Sequence, residues 1–174
     1  MHATRRESDL PVMAWMYAQI YNAPRPWTSS PARPCEAESF FHINFGISHS
    51  APFMARRMVR YILTDWQVVP ETVGTAELLA SELAANAVRF GSVHPARGSY
   101  VPYISLTLWH ARESVVIEVS DENEKPPVIQ VADQESDSGR GLVIVQALSK
   151  EWSYYYPRPG WKTVYCVIDL DLSR

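Results

Sequence analysis

Apolar residues recur along this chain with two periods, one helical and one alternating, and the switches between them mark out its elements. Asp9 is placed to cap a short helix with Pro11 in its first turn. Met13, Met16, Tyr17, Ile20 and Tyr21 then follow at i, i+3, i+4, i+7 and i+8. A helix this short is marginal alone, so the stripe predicts docking, either on its own domain or on another chain. Pro24, Pro26, Pro31 and Pro34, set among Ser, Thr and Ala, interrupt the pattern over 23–38 as a linker or an extended wrapping segment. The pattern divides the chain into an N-terminal extension over 1–38 and a compact domain over 39–174.

Phe40 to Phe45 alternates loosely and is aromatic, which predicts a strand. A helix is predicted from Ala51 to Trp66, with Met54, Met58, Tyr61, Ile62 and Trp66 on its buried face. Arg56, Arg57 and Arg60 lie mostly off that face, as a solvated surface or a binding patch. Gln67 to Gly74 contains Pro70 and Gly74 and reads as a connection. The next helix, over Leu78 to Phe90, is rich in Ala, Leu and Glu; Leu79, Leu83, Ala87 and Phe90 recur at helical spacing, and Gly91 is a natural C-cap. Pro95 and Gly98 mark a surface loop over 92–99.

Tyr103–Trp109 and Val115–Ser120 read as a hairpin turning near Arg112-Glu113. A second hairpin joins Glu151–Tyr156 to Trp161–Leu170 through Pro157–Gly160. Between the hairpins runs a polar stretch, Asp121 to Asp137, then Ser138-Gly139-Arg140-Gly141 and a short apolar helix from Leu142 to Leu148. The fold class this predicts is α+β, a two-layer α/β sandwich of helices on a mixed, mostly antiparallel sheet.

At 174 residues and 47% hydrophobic, the chain suits one globular domain with a full core, carrying an appendage. A net charge of −3 with no long basic run argues against direct nucleic-acid binding. Cys35 and Cys166 match no zinc or redox spacing. No apolar run approaches the roughly 20 residues of a membrane span. Arg5 and Arg6 are followed by Glu7 and Asp9 rather than a signal-like apolar region. The expectation is a cytoplasmic protein without a membrane partner.

Asn86 falls inside the apolar stripe of its helix, and Glu82 lies at the stripe's edge one turn earlier. An unpaired buried polar group costs a few kcal/mol, so both side chains need partners. Water and nearby backbone are one set; a magnesium ion and a phosphate chain are the other. Asp121 closes an apolar strand, where a carboxylate either stays solvated or accepts a hydrogen bond from the amine of adenine in an apolar pocket. Gly139-Arg140-Gly141 before a helix suits an anion, because small residues let backbone N–H groups approach oxygens. It is neither a dinucleotide fingerprint nor a P-loop.

Taken in order, these motifs resemble the Bergerat-fold (GHKL) ATPases, the family of gyrase, histidine kinases and bacterial anti-sigma serine kinases. The similarity is greatest to the compact anti-sigma kinase-like ATPases of actinobacteria. Ser81–Arg89 resembles their N-box, Val119–Pro127 the first glycine box, Gly139–Val145 the second, and Gly160–Tyr165 the closing strand. The resemblance spans about residues 39–172. It implies the histidine kinase-like ATPase fold with ATP and Mg²⁺ as cofactors. It also implies that Asn86 coordinates Mg²⁺ and that Glu82 acts as general base toward a water or a partner's serine. Asp121 would bind the adenine amine with Thr163 beside it, and Asn123 would stand at the start of the lid. Gly139, Arg140, Gly141 and Leu142 would lie along the nucleotide.

The implied function is phosphorylation of an anti-anti-sigma (STAS-type) protein to control a sigma factor, with homodimerisation left open. The alternative is a catalytically silent nucleotide-binding or protein-sequestering module of the same fold. A histidine kinase fragment is disfavoured, because no pair of phospho-acceptor helices precedes the domain. Two features depart from the family pattern. Phe90 stands where many relatives carry His, and the lid is acidic, with Glu122, Glu124, Asp133, Glu135 and Asp137.

Overall fold

The computed structural model describes residues 30–90, 102–129 and 140–170. The helix expected over Asp9–Tyr21, the loop over 92–99, Gly139, and the lid residues Asp133, Glu135 and Asp137 lie outside them. In chain order the described elements are β1 (Ala37–Gly46), α1 (Ala51–Asp65), α2 (Pro70–Phe90), β2 (Tyr103–Ala111) and β3 (Ser114–Asp121), followed by α3 (Gly141–Leu148), β4 (Glu151–Tyr155) and β5 (Lys162–Asp169).

The strands form one sheet in the order β1-β2-β3-β5-β4, antiparallel at every pairing. Both expected hairpins are present, and the α+β class holds; the parallel component expected of a mixed sheet is absent among the described strands. Alternation along each strand assigns the two faces. Ile43, Phe45, Leu106, Leu108, Ile117, Val119, Val164 and Cys166 point to the helices and join one core with Val59, Leu63, Leu79 and Leu83. Burying each Leu or Ile contributes about 1.5–3 kcal/mol, which is what holds the helices on this face.

The opposite face is polar but largely buried. His42 bonds Thr107 at 2.9 Å, Ser105 donates to Asn44 at 2.8 Å, and Ser120 bonds Thr163 at 2.8 Å. Glu118, 2% exposed, accepts from Trp109 Nε1 and the Tyr155 hydroxyl at 3.2 Å each, and from Ser30. Burial pushes its carboxyl above the usual range, and these three donors oppose that shift. Arg33 lies over the Trp109 ring at 5.3 Å. Part of the Pro-rich segment therefore packs on the sheet ahead of β1.

α1 ends in a Schellman motif: Val68 N–H donates to Leu63 O at 2.9 Å and Gln67 N–H to Thr64 O at 3.0 Å. The motif puts Gln67 at φ 60°, in the left-handed region where glycine is usual. α2 begins at Pro70, well before the expected Leu78, and takes in Gly74. Pro suits the first helical position because its φ is preset and its missing N–H is not needed there. An exposed Gly costs only about 1 kcal/mol in a helix, less than the burial of Val73 and Ala76 returns. The two helices are clasped by a bidentate ion pair, in which Arg60 Nη2 donates to Glu77 Oε2 at 2.8 Å and Nε donates to Oε1.

Candidate functional site

The helices do not cover the sheet completely. Where β3 and β5 emerge beyond the C-terminal half of α2, a cavity of about 480 Å³ opens, within the roughly 300–1,000 Å³ typical of small-molecule sites. Leu83, Ala87 and Phe90 wall it from α2, Val119 and Val164 from the sheet, Leu142 from α3, and Pro126 to Val128 from the segment after β3. The walls are apolar because they continue the core stripe of α2 and the core faces of both strands. Five polar residues break that surface: Asn86, Asp121, Asn123, Lys125 and Lys162.

Asn86 and Glu82 stand one turn apart on α2, and the first residue of α3 is seated against both. A Cβ on Gly141 would lie 2.8 Å from Glu82 Oε2 and 3.4 Å from Asn86 Nδ2, so any side chain here would push the Glu82 carboxylate out of its place. Asn86 Nδ2 is buried and has no hydrogen-bond partner among the described residues. Such a donor normally finds an acceptor; here it lies in a wall of the cavity.

Asp121 is 2% exposed. Burial pushes its carboxyl up to about 6, against the pull of the Lys162 ammonium and the Asn123 backbone N–H. Lys162 is its partner across the β3–β5 pairing. Its Nζ stands 3.3 Å from Asp121 Oδ1 and donates to the Lys125 carbonyl at 3.1 Å. The ion pair lies off hydrogen-bond geometry, so Oδ1 has no hydrogen-bond partner among the described residues. A buried acceptor and a buried donor thus face the same space.

Asn123 lines the cavity, but its amide is used internally: Nδ2 donates to the Phe90 carbonyl at the end of α2, and Oδ1 accepts from Lys125 N–H at 2.9 Å. It ties the segment after β3 to the helix. Glu124 turns toward the β4–β5 connection, accepting from Gly160 N–H at 2.5 Å, while its carbonyl accepts from the Tyr156 hydroxyl at 3.0 Å. This acid is therefore spent on a turn, in which Gly160 adopts φ 82°.

Of the residues expected at the site, Asn86, Asp121, Asn123 and Leu142 line the cavity, and Glu82 and Gly141 meet at its edge. Arg140 is exposed at the start of α3. Thr163 is a correction. Expected beside Asp121, it is carried by the pleat to the other face of the sheet, where it bonds Ser120. Lys162 holds the place beside Asp121 instead. A one-residue shift along a strand exchanges faces, and Val164, Cys166 and Ile168 on the core side signal that Lys162 shares their face. That alternation was legible in the sequence; the surface preference of lysine obscured it.

Residues 50–168 match the model of the histidine kinase-like ATPase domain. The chain belongs to this family. Two solved structures share the fold of this histidine kinase-like ATPase. The RsbU and RsbW domains of Rv1364c from Mycobacterium tuberculosis align at TM-score 0.56 and 20% identity, over 76% of this chain and 32% of that one. The SiaB–SiaC complex from Pseudomonas aeruginosa aligns at TM-score 0.54 and 15% identity, over 92% of this chain and 98% of the other. The chain thus spans about a third of the length of that mycobacterial two-domain chain. A comparison with curated proteins finds no match. Among the described residues of this ATPase domain, no helix is long and apolar enough to cross a membrane.

Proposed function

We propose that this domain binds Mg-ATP in the cavity and transfers the γ-phosphoryl group to a serine or threonine of a regulatory protein of the anti-anti-sigma (STAS) type, in the cytoplasm, and so controls a sigma factor. The observation that carries the reading is the meeting of Glu82, Asn86 and Gly141 at the edge of an apolar cavity that also holds Asp121. The apolar slot between α2 and the sheet takes the base, with Asp121 Oδ1 accepting from the adenine amine. The start of α3 lies along the phosphates, where Gly141 permits close approach and the helix N-terminus favours negative charge.

The donor set fits magnesium only with a nucleotide present. No group of three or more His, Cys, Asp or Glu side chains gathers among the described residues, and Mg²⁺ typically takes one or two protein oxygens and completes its shell with phosphates and water. Asn86 Oδ1 would supply the protein oxygen, and the bound ion would neutralise phosphate charge. Glu82 accepts the proton of the attacking hydroxyl as that oxygen bonds to the γ-phosphorus, the bond to the β-phosphate oxygen breaks, and ADP leaves. Phosphoryl transfer asks mainly for such positioning.

Incubation with γ-labelled ATP, Mg²⁺ and a STAS-type candidate tests the reading. Label on the candidate that disappears with Glu82→Ala supports it; no transfer to any candidate despite ATP binding supports the silent module. That second reading draws on Lys162, which already pairs with Asp121.

A further inference from the structure

A lysine is rarely buried without a reason that outweighs its desolvation. Lys162 is 5% exposed, sits in the cavity lining and is the cation nearest to Asp121 among the described residues. Its ammonium has three donors. One goes to the Lys125 carbonyl at 3.1 Å. The Asp121 contact at 3.3 Å is not a formed hydrogen bond, since Oδ1 has no such partner among the described residues. Across one β3–β5 pair, the cavity therefore presents an open acceptor and a donor with spare capacity, 3.3 Å apart and at the end of an apolar slot.

That pattern is complementary to the edge of a 6-aminopurine, in which an amine donor at position 6 adjoins a ring-nitrogen acceptor at position 1. We propose that Lys162 is a specificity-determining residue: its ammonium donates to N1 of the adenine whose 6-amino group bonds Asp121. This rests on the nucleotide-site reading above and deepens it, since the base edge is then read by an ion pair rather than by a carboxylate alone. A guanine held in the same orientation sets its O6 against the carboxylate and its N1–H against the ammonium. Both contacts are like against like, so the pair rejects guanine as well as recognising adenine.

Calorimetric titration with ATP, 1-deaza-ATP (N1 replaced by C–H) and GTP, each with Mg²⁺, tests the proposal. A hydrogen bond to a charged donor predicts that the wild type binds ATP at least about tenfold more tightly than 1-deaza-ATP. Lys162→Met should bring that ratio to within about twofold, and Lys162→Gln, which keeps a shorter donor, should retain part of it. Equal wild-type affinity for ATP and 1-deaza-ATP overturns the proposal while leaving the nucleotide site standing. So does a ratio that survives in Lys162→Met, or tighter ATP binding by that variant. Failure of the wild type to bind any of the three nucleotides overturns the nucleotide-site reading itself. The wild-type ratio decides even if the variants do not fold.

Discussion

Removing either member of the Asp121–Lys162 pair should unbalance the fold in a way that removing both does not. At 3.3 Å and an effective dielectric near 20, the gross attraction between the two charges is about 5 kcal/mol, and desolvation offsets most of it. Asp121→Asn leaves a buried ammonium without its counter-charge and should destabilise by about 3–5 kcal/mol. Asp121→Asn with Lys162→Met removes both charges and should lie within about 1 kcal/mol of wild type or above it. The coupling energy should therefore be at least about 2 kcal/mol.

Lys162→Met alone adds a pH signature. The folded Asp121 carboxyl is already raised to about 6, above its unfolded value. Its stabilising contribution is therefore complete below about pH 4 and is lost as the pH rises through 6. Without the lysine the folded value rises further, so the variant's deficit against wild type should grow from pH 5 to pH 8. At pH 4, where the wild type holds a cation beside a neutral acid, the deficit should vanish or reverse. Urea unfolding of the four proteins, followed by circular dichroism at pH 4, 5, 7 and 8, measures all of this. If the two single losses simply add in the double variant, or the Lys162→Met deficit does not change with pH, the pair is not a buried, coupled one.

Four other substitutions test separate features of the structure. Gly141→Ala places a methyl 2.8 Å from Glu82 Oε2; the carboxylate must swing away, so phosphoryl transfer in a labelled-ATP assay should fall by on the order of 100-fold with a small change in melting temperature. Asn123→Ala removes the bonds to Phe90 O and Lys125 N–H and should cost about 1–3 kcal/mol in urea unfolding, with faster hydrogen exchange at the end of α2. Gly74→Ala and Gln67→Gly should each stabilise by about 0.5–1 kcal/mol: nothing lies within 4 Å of a Cβ at the exposed, helical Gly74, and Gln67 is held at φ 60°. A loss at either position would mean that the end of α1 or the start of α2 is misplaced.

How much the sequence discloses varies with the range of the interaction concerned. The stripe of Leu79, Leu83 and Ala87, and the hairpin turn at Arg112-Glu113, are local patterns, and both elements stand where they were expected. The first turns of α2 were hidden because Gly74 reads as a breaker, and only the tertiary burial of Val73 and Ala76 overrides it. Strand order was not legible: β5 rather than β4 lies against β3, through a pairing of residues far apart in sequence. Within the site, Glu82 and Asn86 could be read from helical spacing alone. Lys162 required strand parity, and Asn123 required knowing that the end of α2 lies within reach of its amide. The packing of Ser30 on Glu118 joins residues 88 apart, with no local pattern to announce it.

Every role proposed for this domain depends on a nucleotide occupying the cavity between α2, β3, β5 and α3. Calorimetric titration of a Mg²⁺-bound, non-hydrolysable ATP analogue into the wild type and Asp121→Ala tests it most directly. The wild type should show saturable one-to-one binding that weakens at least about tenfold in the variant, as expected for loss of a charged hydrogen bond. Binding of equal strength by both proteins, or none by the wild type, would contradict it.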